Sequence, residues 1–178
     1  MFNKLKELFK SNFTTPDPTP VVKKEECFAF NVAGITFHDD ELEKLIKILL
    51  KDGAIEKWNG MTNADIKEYG DTVCIYANQY IGGVKLETYE FKGKDAIRVL
   101  VKDTQDKYHE VGNVPKEYIQ RASDLLTDDT IEFTHAEYEI VGGQAKYVDF
   151  DDDDDKPQIS EGEVNYGISI YIYYKKKD

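Results

Sequence analysis

Cysteine is nearly missing: Cys27 and Cys74 are the only two in 178 residues. Two isolated thiols build neither a disulfide framework nor a metal-ligand spacing. Their apolar, strand-like surroundings predict buried structural thiols instead. Histidine is limited to His38, His109 and His135. No Gly-x-Ser-x-Gly, Cys-Gly or His-x-x-x-His pattern surrounds any nucleophile. With no motif of catalytic mechanics and no phosphate-cradling glycine loop, the chain is expected to be non-enzymatic, with no cofactor and no metal. Gly82-Gly83 and Gly142-Gly143 read as hairpin turns. No apolar run is long enough to span a bilayer. The lysine-bearing start lacks the apolar centre of a secretory leader, so the cytoplasm is the default compartment. Excess positive charge is absent too. The net charge is −12, which weighs against tight non-specific duplex binding, whose affinity comes from neutralising phosphates.

What is present points to strands. The chain holds 12 Tyr and 9 Phe, residue types that favour sheets, and 40% of it is hydrophobic, enough for a real core. The charge is uneven. Residues 149–163 carry −7, and residues 27–148 still carry −8. A pocket for one strand end remains compatible with that balance. The Asp151–Asp155 run lacks the spaced ligands and the turn glycine of a calcium loop, so residues 149–163 are expected to form a solvated acidic loop.

The most informative stretch is residues 94–115, KDAIRVLVKDTQDKYHEVGNVP. Ala96, Ile97, Val99, Leu100 and Val101 form an apolar run rich in β-branched residues that is too short for a globular helix, and a polar turn follows it. A second short strand covers 108–114. Pro115 ends it, and Tyr118, Ile119, Ala122, Leu125 and Leu126 then recur at helical spacing. Upstream, residues 1–10, MFNKLKELFK, gather Phe2, Leu5 and Phe9 on one helical face. They form an amphipathic helix candidate too short to stand alone in water. TTPDPTP, residues 14–20, is a Pro-rich linker, so 1–26 are appendage and 27–178 the domain.

Within the domain a strand is expected over 27–37, with Gly34 in mid-strand as a bulge or a point of close backbone approach. A helical insertion follows over 39–70. It has Asp39 or Asp40 as cap, a Leu/Ile stripe to Lys51, and a second short helix capped by Thr62 or Asn63. Trp58 is expected to pack this insertion onto the barrel. Val73–Gln79 and Val84–Phe91 read as a hairpin. Strands are expected over 130–141, turning at Gly142-Gly143 into 145–150, and over 167–174, the last too apolar to be an exposed edge. The fold class is therefore mainly β (α+β): a small antiparallel sheet or barrel of six to seven strands with two or three helices.

DAIRV, VGNVPKEY and the earlier VAGITF resemble the HIRAN domain family, and the later Gly142-Gly143 and GISIYI segments resemble its bacterial stand-alone members. The resemblance touches residues 27–174. It implies a small β-barrel similar to an OB fold, and a single-stranded DNA end as partner. Carried over position by position, it implies a pocket of Thr36, Phe37, His38, Asp95, Asn113 and Lys116. Phe37 keeps the family's aromatic ring and Lys116 its cation. Thr36, His38 and Asn113 depart from the usual residue types, and the loop before Asp95 is shortened. Lys92, Lys94 and Arg98 add a local basic cluster that the net charge hides. The alternative is a protein-interaction or regulatory adaptor. It would make its contact through residues 1–10 or the acidic loop. The oligomeric state is left open.

Overall fold

The computed structural model describes residues 24–151 and 154–177. The helix expected over 1–10 and the linker over 14–20 lie outside them, as do residues 152–153 of the acidic run. In chain order the elements are β1 (Glu26–Asn31), α1 (Asp39–Lys51), α2 (Asn63–Tyr69), β2 (Val73–Cys74), β3 (Tyr80–Gly82), β4 (Val84–Phe91), β5 (Lys94–Lys102), β6 (Tyr108–Asn113), α3 (Ile119–Thr127), β7 (Ile131–Asp151) and β8 (Asp154–Lys176). The protein is mainly β. Among the described residues no helix is long and apolar enough to cross a membrane.

Two antiparallel sheets share one core. The larger has the order β1-β8-β7-β2, with β3 also paired to β7, and the smaller is β4-β5-β6. Alternation decides which side chains face inward. Phe28 and Phe30 of β1, Ile168, Ile170 and Ile172 of β8, and Ile97, Val99 and Val101 of β5 are all buried. Each such side chain contributes roughly 1.5–3 kcal/mol by leaving water. As its apolar character requires, the 167–174 segment is paired on both sides, to β1 and β7. Helix α1 covers the core with Leu42, Leu45, Ile46 and Leu49. Its start is capped by the His38 backbone rather than by Asp39 or Asp40. Those two, with Glu41, occupy the first turn, where carboxylates complement the helix dipole. Thr62 does cap α2, in a reciprocal pair with Asp65. Trp58 ties the insertion down by donating its amide to the Ile75 carbonyl at 2.7 Å.

Several expectations are corrected. The first strand stops at Asn31. Gly34, at φ +78°, opens a short 3-10 turn over Ile35–Phe37 instead of bulging a strand. Cys27 is exposed and Cys74 half-buried, because Cys27 alternates outward on β1 while Phe28 turns inward. The 73–79 and 84–91 segments do not pair. Strand β2 spans two residues, β3 pairs with β7, and the hairpin partner of β4 is β5. The Gly142-Gly143 pair does not reverse the chain. Both sit at positive φ inside the 21-residue β7, where the register with β8 shifts. A Cβ on Gly142 would lie 2.1 Å from the Asn165 carbonyl oxygen, so the ribbon bends there on backbone alone. The reversal comes instead at Asp151↔Asp154, and residues 157–163 are strand, not loop.

The sheets do not close into a barrel. Among the described residues, two backbone junctions join them, with the Tyr138 hydroxyl also donating to the Lys102 carbonyl at 2.9 Å. At one, Ala33 and Asn113 exchange hydrogen bonds of 2.8 and 2.9 Å. At the other, the chain crosses from β3 to β4 at Gly83, whose amide donates to Ala136 at 3.1 Å and whose carbonyl accepts from Lys102 at 2.8 Å. Beyond that bond no ladder among the described residues joins β4 to β7. Strand β3 is too short to carry the pairing further.

Candidate nucleic-acid interface

The sequence-predicted residues are best located from Asn113, the last residue of β6. Its backbone is fixed by the exchange with Ala33. Its side-chain Oδ1 accepts from the Tyr89 hydroxyl at 2.8 Å. Across the ladder Asn113 faces Arg98, whose guanidinium carbon sits 4.6 Å from the centre of the Tyr89 ring. Arg98 also places Nη1 3.4 Å from Glu110 Oε2, and Glu87 faces it from β4. Tyr89, Arg98 and Asn113 thus form one polar-aromatic unit on the smaller sheet, with a cation–π contact at its centre.

Asp95 belongs to the adjoining depression. With Thr88, Tyr89, Ala96, Ile97, Ile119 and Ser123 it lines about 320 Å³ between the β4–β5 hairpin and α3. Thr36 and Phe37 stand on the 3-10 turn that follows the Ala33 junction, and both are exposed. Phe37 is 89% exposed, the most open large apolar side chain among those described. His38 heads α1, and its carbonyl accepts from Glu41 and Leu42 at 3.0 Å each. Lys116 is exposed in the turn after Pro115, three residues beyond Asn113. Lys92 and Lys94 sit at the hairpin tip. Lys92 takes φ +52° in a two-residue turn with Gly93, and its Nζ lies 5.1 Å from the Phe91 ring centre. Lys94 is four residues along β5 from Arg98, roughly 13 Å at strand rise.

The nine residues therefore do not form one pocket. Arg98 and Asn113 share a rung, Asp95 borders it, and Phe37 and Lys116 flank the same junction. Lys92 and Lys94 stand off at the tip. Acids are interleaved throughout: Glu87, Glu90, Asp95, Glu110 and Glu117. The Lys85 ammonium, hydrogen-bonded to Glu87, holds that carboxyl below its ordinary value, with a weaker contribution from Arg98. The surface therefore offers aromatic faces and directed hydrogen-bonding groups rather than bulk positive charge.

Sequence reasoning missed Tyr89 as a partner of Arg98 and Asn113. It also missed a buried cluster beside this surface. His109 is 1% exposed, with Nε2 2.8 Å from Asp103 Oδ2 and Nδ1 3.2 Å from Glu41 Oε2. Asp103 Oδ1 accepts from the Gln105 and Lys107 amides at 2.8 and 3.0 Å. Burial pushes the Asp103 carboxyl up, but the hydrogen bonds from His109, Lys107 and Gln105 together outweigh it and hold the group below its ordinary value. The cluster ties α1 to the β5–β6 turn. Comparison of the chain with family models, with curated proteins and with solved structures found no match.

Proposed function

We propose that the chain is a non-enzymatic binding module of the HIRAN type, a partly open OB-like domain that takes a single-stranded DNA end. Its ligand would stack on Phe37, with Lys116 near phosphate and the Tyr89–Arg98–Asn113 unit offering hydrogen bonds to the terminal sugar or base edge. One observation carries this reading: a fully presented aromatic ring, 89% exposed, stands on a short turn fixed to the sheet by the Ala33–Asn113 pair. A side chain so exposed adds nothing to the core, while base stacking on an aromatic ring is a general way to hold a single strand.

Fluorescence anisotropy with labelled oligonucleotides at low salt tests it. One strand has a free 3′-hydroxyl, one a 3′-phosphate, and a blunt duplex is the control. Saturable binding selective for the free hydroxyl is expected. Phe37→Ala should weaken it by about 1–3 kcal/mol without changing the unfolding midpoint. Equal binding by that variant would remove Phe37 from the site. No binding of any oligonucleotide by the unmodified protein would end the nucleic-acid reading.

A second reading is favoured by the β7–β8 ribbon, whose last pair, Asp151 and Asp154, falls within the acidic stretch of the sequence. We infer that this stretch would suit a basic protein partner. Replacing Asp151–Asp155 with serines would abolish such an interaction and leave DNA-end binding intact.

A further inference from the structure

Where the two sheets fail to close, an apolar groove of about 370 Å³ lies open. Its walls are Val84 and Leu86 of β4, Leu126 of α3, Phe133 and Ala136 of β7, and Ile172 of β8. Phe133 pairs with Tyr174, which is buried, yet Phe133 itself is 45% exposed and Leu126 is 40% exposed. Apolar side chains on the inner side of a sheet are normally covered. Among the described residues, Phe133 and Leu126 are left open.

The chain itself arrives at this place. Glu25, one residue after the first described one, accepts a hydrogen bond from Thr134 Oγ1 at 2.5 Å, and Thr134 lines the groove. The same carboxylate lies 3.9 Å from Nδ1 of His135, another lining residue. The first described residues therefore lie at the groove's own rim. Residues 11–23 reach roughly 40 Å at Pro-rich extension, far more than is needed to return to the groove from that rim. Beyond them, residues 1–10 hold Phe2, Leu5 and Phe9 at helical spacing, a stripe with no core of its own to bury it. An amphipathic helix of this length needs a surface to form against, and the groove needs an apolar cover.

We propose that residues 1–10 of the same chain seat in this groove as an amphipathic helix, with Phe2, Leu5 and Phe9 toward Leu86, Leu126 and Phe133. The seated segment covers the seam between β4 and β7. Any partner that recruits residues 1–10 must first displace them from it. This inference does not rest on the nucleic-acid reading.

Hydrogen–deuterium exchange on the full chain tests it, comparing the unmodified protein with Leu5→Glu/Phe9→Glu. Amides of residues 84–86 and 133–136 should exchange roughly 5–30-fold faster in the variant, the factor by which a small loss of local stability shifts an opening equilibrium. Amides of β5 should stay unchanged, which shows that the fold is intact. A synthetic peptide of residues 1–20, added to the variant, should restore the protection. Equal exchange in both proteins at 84–86 and 133–136 overturns the proposal. So does protection that grows with protein concentration alongside dimerisation in sedimentation, because the occupant would then be a second copy.

Discussion

Asp103→Ala is expected to cost the fold about 3 kcal/mol or more, because three partners lose their acceptor at once and each buried group left unmet costs roughly 1–3 kcal/mol. Asp103 is 4% exposed and serves three donors or partners at once: the Gln105 amide, the Lys107 amide and the His109 ring. Alanine leaves the two amides of the β5–β6 turn without their acceptor. It also leaves the His109 ring, 1% exposed, without a partner at Nε2. An unmade hydrogen bond in a buried place costs the full desolvation of the group left behind. Asp103→Asn keeps an acceptor oxygen for the turn and should cost less. Urea unfolding at neutral pH measures both. A loss under about 1 kcal/mol for Asp103→Ala would mean that water replaces the carboxylate freely. The same residue sets an acid dependence. Its folded carboxyl value lies below the ordinary 3.8. The stabilisation is therefore fully present above the unfolded-state value and is lost as pH falls through the depressed folded one. The unmodified protein should lose stability below about pH 4, and Asp103→Ala should show a shallower decline over that window.

Much of the architecture was legible because alternation and helical spacing record burial directly. The Ile168, Ile170, Ile172 series fixed the central strand, the Ile97, Val99, Val101 series fixed β5, and the Leu42 to Leu49 stripe fixed α1. Pairing was less legible. Glycine pairs carry the same letters whether they reverse a chain, as expected at Gly142-Gly143, or bend a continuous strand, as they do there. Likewise Gly82-Gly83 passes the chain from one sheet to the other, and nothing local distinguishes that from a hairpin turn. The expected site residues are neighbours in sequence in three groups: Thr36 and Phe37, then Asp95 and Arg98, then Asn113 and Lys116. What links the first group to the third is the Ala33–Asn113 junction, a contact between residues 80 apart in the chain, which no local pattern records. The His109 cluster was not legible at all, because a lone Asp and a lone His beside a polar turn look solvated. Their burial comes from α1 folding over them.

Gly112→Ala is the other substitution with a large expected effect, about 3 kcal/mol or more of stability. Gly112 is buried at φ +141°, a conformation L side chains rarely adopt. A Cβ there would lie 2.4 Å from the Ala33 carbonyl oxygen and 2.7 Å from Val32 Cγ1. The backbone oxygen cannot rotate away, because it accepts the Asn113 amide at 2.9 Å. Relief requires the Ala33–Asn113 pair to open, which frees the turn bearing Phe37 from the sheet. Gly93→Ala is the matched control. Gly93 also has positive φ, +73°, but a Cβ meets nothing within 4 Å, so it should cost only the roughly 1–2 kcal/mol of left-handed strain. Chemical unfolding of the two variants separates conformational strain from collision, and equal midpoints would mean that the junction yields without cost. Hydrogen exchange at the Asn113 amide supplies the second readout. It should accelerate in Gly112→Ala and not in Gly93→Ala. If Phe37 stacks a strand end only while held against the sheet, folded Gly112→Ala should also lose oligonucleotide affinity to the level of Phe37→Ala, although it leaves the ring itself intact.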